Sequence, residues 1–217
     1  MITRLIWKEW KDSQWILVGF CALLLAEIGM AHLFIPNLQY YVDLDIWFTI
    51  TTVIAAGIIG GYSFSSDRQT HGLVFLESLP ISRSTIYWVK WCMGVVQVVL
   101  ILMIWALLFF TYKADDLGHV EYIRRVLERG CLMWVMFHAS FACSTWSKNP
   151  IVAALCGGVV MMVMRKPVDV GLCRMGLMTL YGGSLDSTYF NIMLALLAIG
   201  AFVVFHVKGW LVYMKFR

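Results

Sequence analysis

Charge is what this sequence has least of: 14% of its 217 residues are Asp, Glu, Lys or Arg, while 61% are hydrophobic. A soluble domain carries about 25% charged and about 45–50% apolar residues, and one core of this size cannot hide such an excess. With a mean hydropathy of +0.78, the scarcity argues against an ordinary water-soluble domain and makes lipid the expected solvent. The net charge is only +4, and the basic residues are scattered between apolar runs. The clustered basic face that nucleic-acid binding needs is missing, so no nucleic-acid partner is expected.

Other absences bear on chemistry. There is no G-x-x-x-x-G-K-[ST] phosphate loop, so the chain is not expected to bind and hydrolyse ATP by itself. No H-E-x-x-H helix is present for an intramembrane metalloprotease. Ser184 follows Gly182 and Gly183, but Gly-Gly-Ser-Leu-Asp departs from the Gly-x-Ser-Gly of intramembrane serine proteases. His138 and His206 lack an orienting acid nearby in sequence and read as packed or pore-facing residues. The six cysteines, Cys21, Cys92, Cys131, Cys143, Cys156 and Cys173, include no C-x-x-C pair. Five lie in or beside apolar runs, where cysteine behaves as a small hydrophobe rather than as a disulfide or metal ligand. Met161, Met162 and Met164 read as helix packing rather than soft-metal handling. No catalytic residue, metal ligand or cofactor site is therefore expected on this chain.

What the sequence does hold is a series of long apolar runs. A helix needs about 20 apolar residues to cross the hydrocarbon core. Runs over 15–36, 47–64, 92–112, 131–146, 151–164 and 190–207 give six expected membrane spans, the fifth of them short. Gly57, Gly60 and Gly61 in the second are small residues that let helices approach closely. Ahead of the first span, residues 1–14 place Arg4, Lys8, Lys11 and Asp12 on one sector of a helical wheel and Ile2, Leu5, Ile6 and Trp10 on the other. This is the pattern of a helix lying in the membrane interface, and Trp7, Trp10 and Trp15 suit that depth. A signal peptide is the competing reading, but no small-x-small cleavage site follows the charged region.

The connections are expected to differ in kind. Residues 65–90 form a polar loop. Over 113–130, Leu117, Val120, Ile123 and Leu127 recur at helical spacing, with Glu121–Arg125 and Arg124–Glu128 as i,i+4 pairs. This predicts a surface helix on the membrane face, stopped at Gly130. Residues 165–189 mix charge with apolar patches and suit a re-entrant or interfacial segment. Glu27 and His32 interrupt the first span. An ionised acid at the bilayer centre is expensive, so Glu27 is either a pathway or dimer-seam group, paired with His32, or lies near the outer interface or carries a proton. Ten Lys and Arg, including Arg4, Lys8, Arg68, Arg83, Lys90, Lys148 and Lys208, fall on one set of connections and seven on the other. By the positive-inside tendency both termini and the 65–90 loop belong in the cytoplasm.

Within that loop, Asp67, Arg68, Gln69, Thr70, His71, Gly72, Leu73, Val74, Phe75, Leu76, Glu77, Ser78, Leu79, Pro80, Ile81, Ser82 and Arg83, with Lys90 beyond, resemble the first cytoplasmic loop of type-2 ATP-binding-cassette (ABC) permeases. That family has a charged start, Gly-Thr-Leu-Glu, a few apolar residues, Ser-Leu-Pro-Val-Ser-Arg, and a lysine opening the next span. Ser78, Leu79, Pro80, Ser82, Arg83 and Lys90 match. His71 stands where the family has glycine, Gly72 where it has threonine, and Val74 where it has glutamate. The amphipathic start Leu5-Ile6-Trp7-Lys8-Glu9-Trp10, the six spans and the broken hairpin before the last are similar too, though only the loop is motif-grade.

The resemblance implies an all-α integral membrane domain over 1–217 with a short coupling helix between spans two and three. That helix would dock on a separate ATPase subunit, two copies per transporter, which carries the ATP and magnesium. Leu73, Phe75, Leu76 and Leu79 would form its buried face, and Asp67, Arg68 and Glu77 would orient it. Pro80 would end it, Arg83 would follow, and Ser82 would cap the next helix. A second permease subunit, identical or different, would complete the pathway in the inner membrane. The implied activity is export of a lipid, amphipathic peptide or drug-like molecule. An intramembrane enzyme and a non-transporting membrane anchor for a partner complex are the alternative classes.

Overall fold

The computed structural model describes residues 2–34, 41–70, 72, 76, 80–113, 119–160 and 186–215. Among them the secondary structure is helical throughout: α1 (Ile2–Phe34), α2 (Tyr41–Gln69), α3 (Arg83–Lys113), α4 (His119–Ser144), α5 (Pro150–Val160) and α6 (Asp186–Lys215). Among the described residues two stretches are long and apolar enough to cross a membrane, Phe48–Gln69 in α2 and Arg83–Leu108 in α3, while α5 is apolar but shorter. Most of the expected re-entrant segment at 165–189 and the end of the fifth expected span lie outside the described residues.

Two boundaries differ from the sequence reading. Residues 1–14 and 15–36 were expected as an interfacial helix and a separate span, whereas α1 runs unbroken from Ile2 to Phe34. No proline or glycine separates the two parts, and Leu5, Glu9, Phe20 and Leu24 form one buried stripe across the junction. Such spacing keeps the same face of a helix inward turn after turn. Ile2, Ile6 and Trp7 stay exposed. Likewise α4 passes through Gly130 instead of stopping there, running on from the region expected as a surface helix into the run expected as the fourth span. Glycine inside a helix is unfavourable by about 0.5–1 kcal/mol relative to alanine. Here it makes room, because a Cβ at 130 would lie 3.1 Å from Leu102 Cδ2 of α3.

The bundle is built around α2, whose most extensive partner is α4; α4 in turn packs on α6. Glycine explains how closely α2 is approached. A Cβ at Gly60 would sit 2.5 Å from the Phe137 carbonyl oxygen of α4, and one at Gly61 would sit 2.6 Å from the Pro150 carbonyl oxygen of α5. The core between the helices is filled by Ala56, Ile59 and Phe64 of α2, Tyr87, Ile101 and Trp105 of α3, and Met133, Phe137 and Phe141 of α4. Facing outward is a second apolar set, with Leu25, Leu107, Ile151 and Leu155 each about two-thirds exposed (65–67%).

Candidate functional site

The connection between α2 and α3 is narrower than the 65–90 of the sequence reading: α2 persists to Gln69 and α3 begins at Arg83. At the α2 end, Thr70 N–H and its hydroxyl both donate to the Ser66 carbonyl, at 3.0 and 2.9 Å. At the α3 start, Ser82 is the helix cap anticipated from its position. Its Oγ accepts from Thr85 N–H at 3.1 Å, and its carbonyl accepts from Ile86 N–H at 3.2 Å. Pro80 is exposed between the two stalks. Gly72 and Leu76 are each helical; Leu73, Phe75, Glu77 and Leu79 lie outside the described residues.

Leu76 is not presented outward. It is 1% exposed and packs with Leu5 of α1 and Ile86 of α3, flanked by Ile81 and Val89. The leucine therefore fastens the connection to its own chain.

Beneath the connection lies a buried ion cluster that joins three helices. Lys90 of α3 has only 1% of its side chain exposed; its Nζ lies 2.8 Å from both carboxylate oxygens of Glu9 on α1 and 2.5 Å from Asp67 Oδ2 at the end of α2. Lys8 adds a second cation, 3.0 Å from Asp67 Oδ1 and 2.9 Å from Asp12 Oδ2. An ammonium taken from water without partners loses several kcal/mol; here two carboxylates flank Lys90, and the Phe64 ring centroid lies 5.4 Å away. Burial opposes the charged form of Lys8, but the Glu9 and Asp67 carboxylates and the hydrogen bonds to Asp12 and Asp67 outweigh it. They hold its pKa above that of an ordinary lysine. Gln97 donates to Ser13 Oγ, which itself donates to the Glu9 carbonyl at 2.5 Å, extending the polar seam along α1 and α3.

The resemblance gives Asp67 the role of orienting the docking helix and Lys90 that of a lysine opening the next span. In the fold Asp67 is 4% exposed and is engaged internally. Glu9 was not singled out, although one signal was available. Lys90 sits in Tyr-Trp-Val-Lys-Trp-Cys, an apolar setting in which a lysine needs an acid from elsewhere in the chain.

Other elements converge on the same end of the bundle. Arg68 Nη1 donates to the Trp146 carbonyl at 3.3 Å and Ser65 Oγ to the Ser147 carbonyl at 3.0 Å, tying the end of α2 to the 145–149 turn between α4 and α5. Asn149 Oδ1 accepts from Ile151 N–H at 2.9 Å and so caps α5. From α6, Tyr213 packs on Phe64 and Tyr87, while Tyr87 Oη donates to the His206 carbonyl at 3.2 Å. Arg68, Lys90, Lys148 and Lys208, grouped on one side by their place between apolar runs, belong to elements that meet here.

Away from this end, Glu27 Oε1 accepts from Thr51 Oγ1 of α2 at 2.6 Å, and its other oxygen is buried with no hydrogen-bond partner among the described residues. The side chain of His32 lies outside the described residues, so its pairing with Glu27 is not part of this geometry. His138 is held at both ring nitrogens: Nδ1–H donates to the Trp134 carbonyl at 2.9 Å, and Nε2 accepts from Trp91 Nε1 at 3.1 Å. Its lone pair is already engaged by an indole, the arrangement of a packing residue rather than a general base. Ser184 lies outside the described residues.

Comparison with known proteins returns no match: no family profile, curated protein or solved structure aligns significantly with this chain.

Proposed function

We propose that this protein is a membrane-spanning permease subunit of an ABC-type transporter, supplying half of a translocation pathway. It would be driven through the α2–α3 connection by a separate ATPase that carries ATP and magnesium. The outward-facing apolar side chains and the two helices of spanning length support a lipid setting. The loop's match in Ser78, Leu79, Pro80, Ser82, Arg83 and Lys90 supports the class. The observation that carries the mechanism is the ion cluster. Both stalks of the connection, through Asp67 and Lys90, are pinned to one another and to Glu9 of α1. Packed elements move as units because close-packed interiors transmit strain. A push on the connection would therefore displace α1, α2 and α3 together instead of being absorbed by a slack loop.

In this reading both termini and the connection are cytoplasmic, a second permease subunit completes the path, and the cargo is a lipid, amphipathic peptide or drug-like molecule leaving the cytoplasm. The test uses co-expression with an ABC ATPase that co-purifies with the unaltered chain. Leu79→Asp is expected to reduce ATPase co-purification severalfold while membrane insertion persists. Undiminished co-purification would remove the docking claim.

A further inference from the structure

We propose that the outward face of α1 binds anionic phospholipid headgroups, with Lys11 as the phosphate-binding residue and Arg4 as a second, weaker contributor. The inference rests on the membrane setting of the proposed reading and adds a lipid preference to it. Arg4, Trp7, Lys11 and Trp15 are all exposed, the two indoles by 67% and 71%. Spacings of three and four residues put them on one face of a helix, and α1 is unbroken throughout. Beyond Trp15 the same face continues through Val18 and Leu25, apolar and 54% and 65% exposed.

The charges of α1 divide by face. Glu9 meets Lys90, and Lys8 bridges Asp67 and Asp12. Glu9 and Asp12 are the only acids among the first 26 residues, and both are thus engaged by lysines of the cluster. Neither Arg4 nor Lys11 forms an ion pair among the described residues. The outward face therefore presents two basic groups without an acid to neutralise them.

Depth follows from helix geometry. Tryptophan favours the boundary between hydrocarbon and headgroups, and Trp15 stands where the outward face changes from basic to apolar. At 1.5 Å per residue, Lys11 lies about 6 Å and Arg4 about 16 Å beyond Trp15 along the axis. The headgroup layer is about 5–7 Å thick on each side of the hydrocarbon. Lys11 is then level with the phosphates, with an indole one turn to either side, while Arg4 is about a Debye length further out. An acidic soluble partner could meet Arg4 and Trp7, but it could not follow the face to Val18 and Leu25. A lipid meets both parts, its chains against the apolar run and its phosphate against Lys11, and the cytoplasmic leaflet is the anionic one. On the other side of these turns, Leu5 packs on Leu76 and Glu9 holds Lys90. A headgroup held at Lys11 braces the segment of α1 that pins the α2–α3 connection.

The test reconstitutes the full chain in phosphatidylcholine vesicles containing a fixed fraction of brominated phosphatidylglycerol or brominated phosphatidylcholine. Quenching at Trp15 is read as the difference between the parent and Trp15→Phe. A basic residue near an anionic surface contributes about fivefold in affinity. The expected result is stronger quenching by the anionic lipid, a preference cut about fivefold by Lys11→Gln and less by Arg4→Gln. It should persist in Lys11→Arg and vanish in about 1 M salt. Both side chains are exposed, so the variants should keep the parent's thermal midpoint in detergent. Equal quenching by the two lipids in the folded parent, or a preference that Lys11→Gln leaves unchanged, overturns the proposal. So does loss of ATPase capture in Lys11→Gln with the lipid preference intact, which assigns the face to a protein. A chain that does not enter vesicles at all removes the membrane reading as well, so the two failures are told apart.

Discussion

Lys90 Nζ lies 2.8 Å from each carboxylate oxygen of Glu9, a contact between residues 81 positions apart in sequence. The pair is buried, so its members are not interchangeable with surface charges. Removing one partner of a buried pair leaves the other charged and unsolvated, a loss of about 3–5 kcal/mol. Lys90→Met should lower stability by that order, read by thermal unfolding in detergent. Lys90→Met combined with Glu9→Gln should be less destabilised than the sum of the two single variants. Strict additivity would mean that the two residues do not act as a pair.

Gly60 supplies a second test, directed at packing. With a Cβ placed 2.5 Å from the Phe137 carbonyl oxygen, α2 and α4 must separate to accept any side chain. Gly60→Ala should destabilise by about 1–3 kcal/mol. Gly19 is the internal control: it is also helical, but nothing lies within 4 Å of its Cβ direction. Gly19→Ala should instead stabilise by about 0.5–1 kcal/mol, since only the helix-interior preference changes. Equal effects at the two positions would contradict the described α2–α4 contact.

Much of the architecture was legible in the sequence because it follows from local rules. Apolar runs marked the helices, Gly57, Gly60 and Gly61 marked a close-packed face, and Ser82 marked a cap. Boundaries were less legible. The break expected near Gln14 rested on a change of composition, but a helix ends only where backbone hydrogen bonding or sterics stop it, and nothing there does. Gly130 was read as a stop because glycine favours helix ends; its use for approach to Leu102 is a tertiary fact. The ion cluster was least legible. Glu9, Asp67 and Lys90 lie apart in sequence; the apolar setting of Lys90 calls for an acid, but nothing local says that Glu9 and Asp67 supply it. Leu76 misled for a related reason: an apolar residue in a polar loop signals burial without saying against what.

The His138 environment makes a prediction about chemistry. Trp91 Nε1 is the donor that satisfies His138 Nε2. Trp91→Phe keeps most of the aromatic packing with Trp134 and Phe202 but strands a buried ring nitrogen, which costs about 1–3 kcal/mol. The expected outcome is a clear drop in thermal midpoint. A catalytic histidine would show the opposite balance, with unchanged stability and lost activity.

Leu76 and Leu79 should separate folding from docking. Leu76 is enclosed by Leu5 and Ile86, so Leu76→Asp places a charge in a small apolar cluster. Burying an unpaired carboxylate is strongly unfavourable, and the variant should lose stability with or without an ATPase present, seen as early unfolding and faster proteolysis of the α2–α3 connection. Leu76→Met, nearly volume-conserving, should cost less than about 1.5 kcal/mol. Leu79→Asp, in the proposed docking role, should leave the isolated subunit's thermal midpoint near the parent value and act only on partner capture. If both Asp variants unfold the subunit equally, Leu79 also belongs to the interior, and the surface offered to a motor must lie elsewhere in the connection. If neither does, Leu76 is not the anchor that holds the connection against α1 and α3.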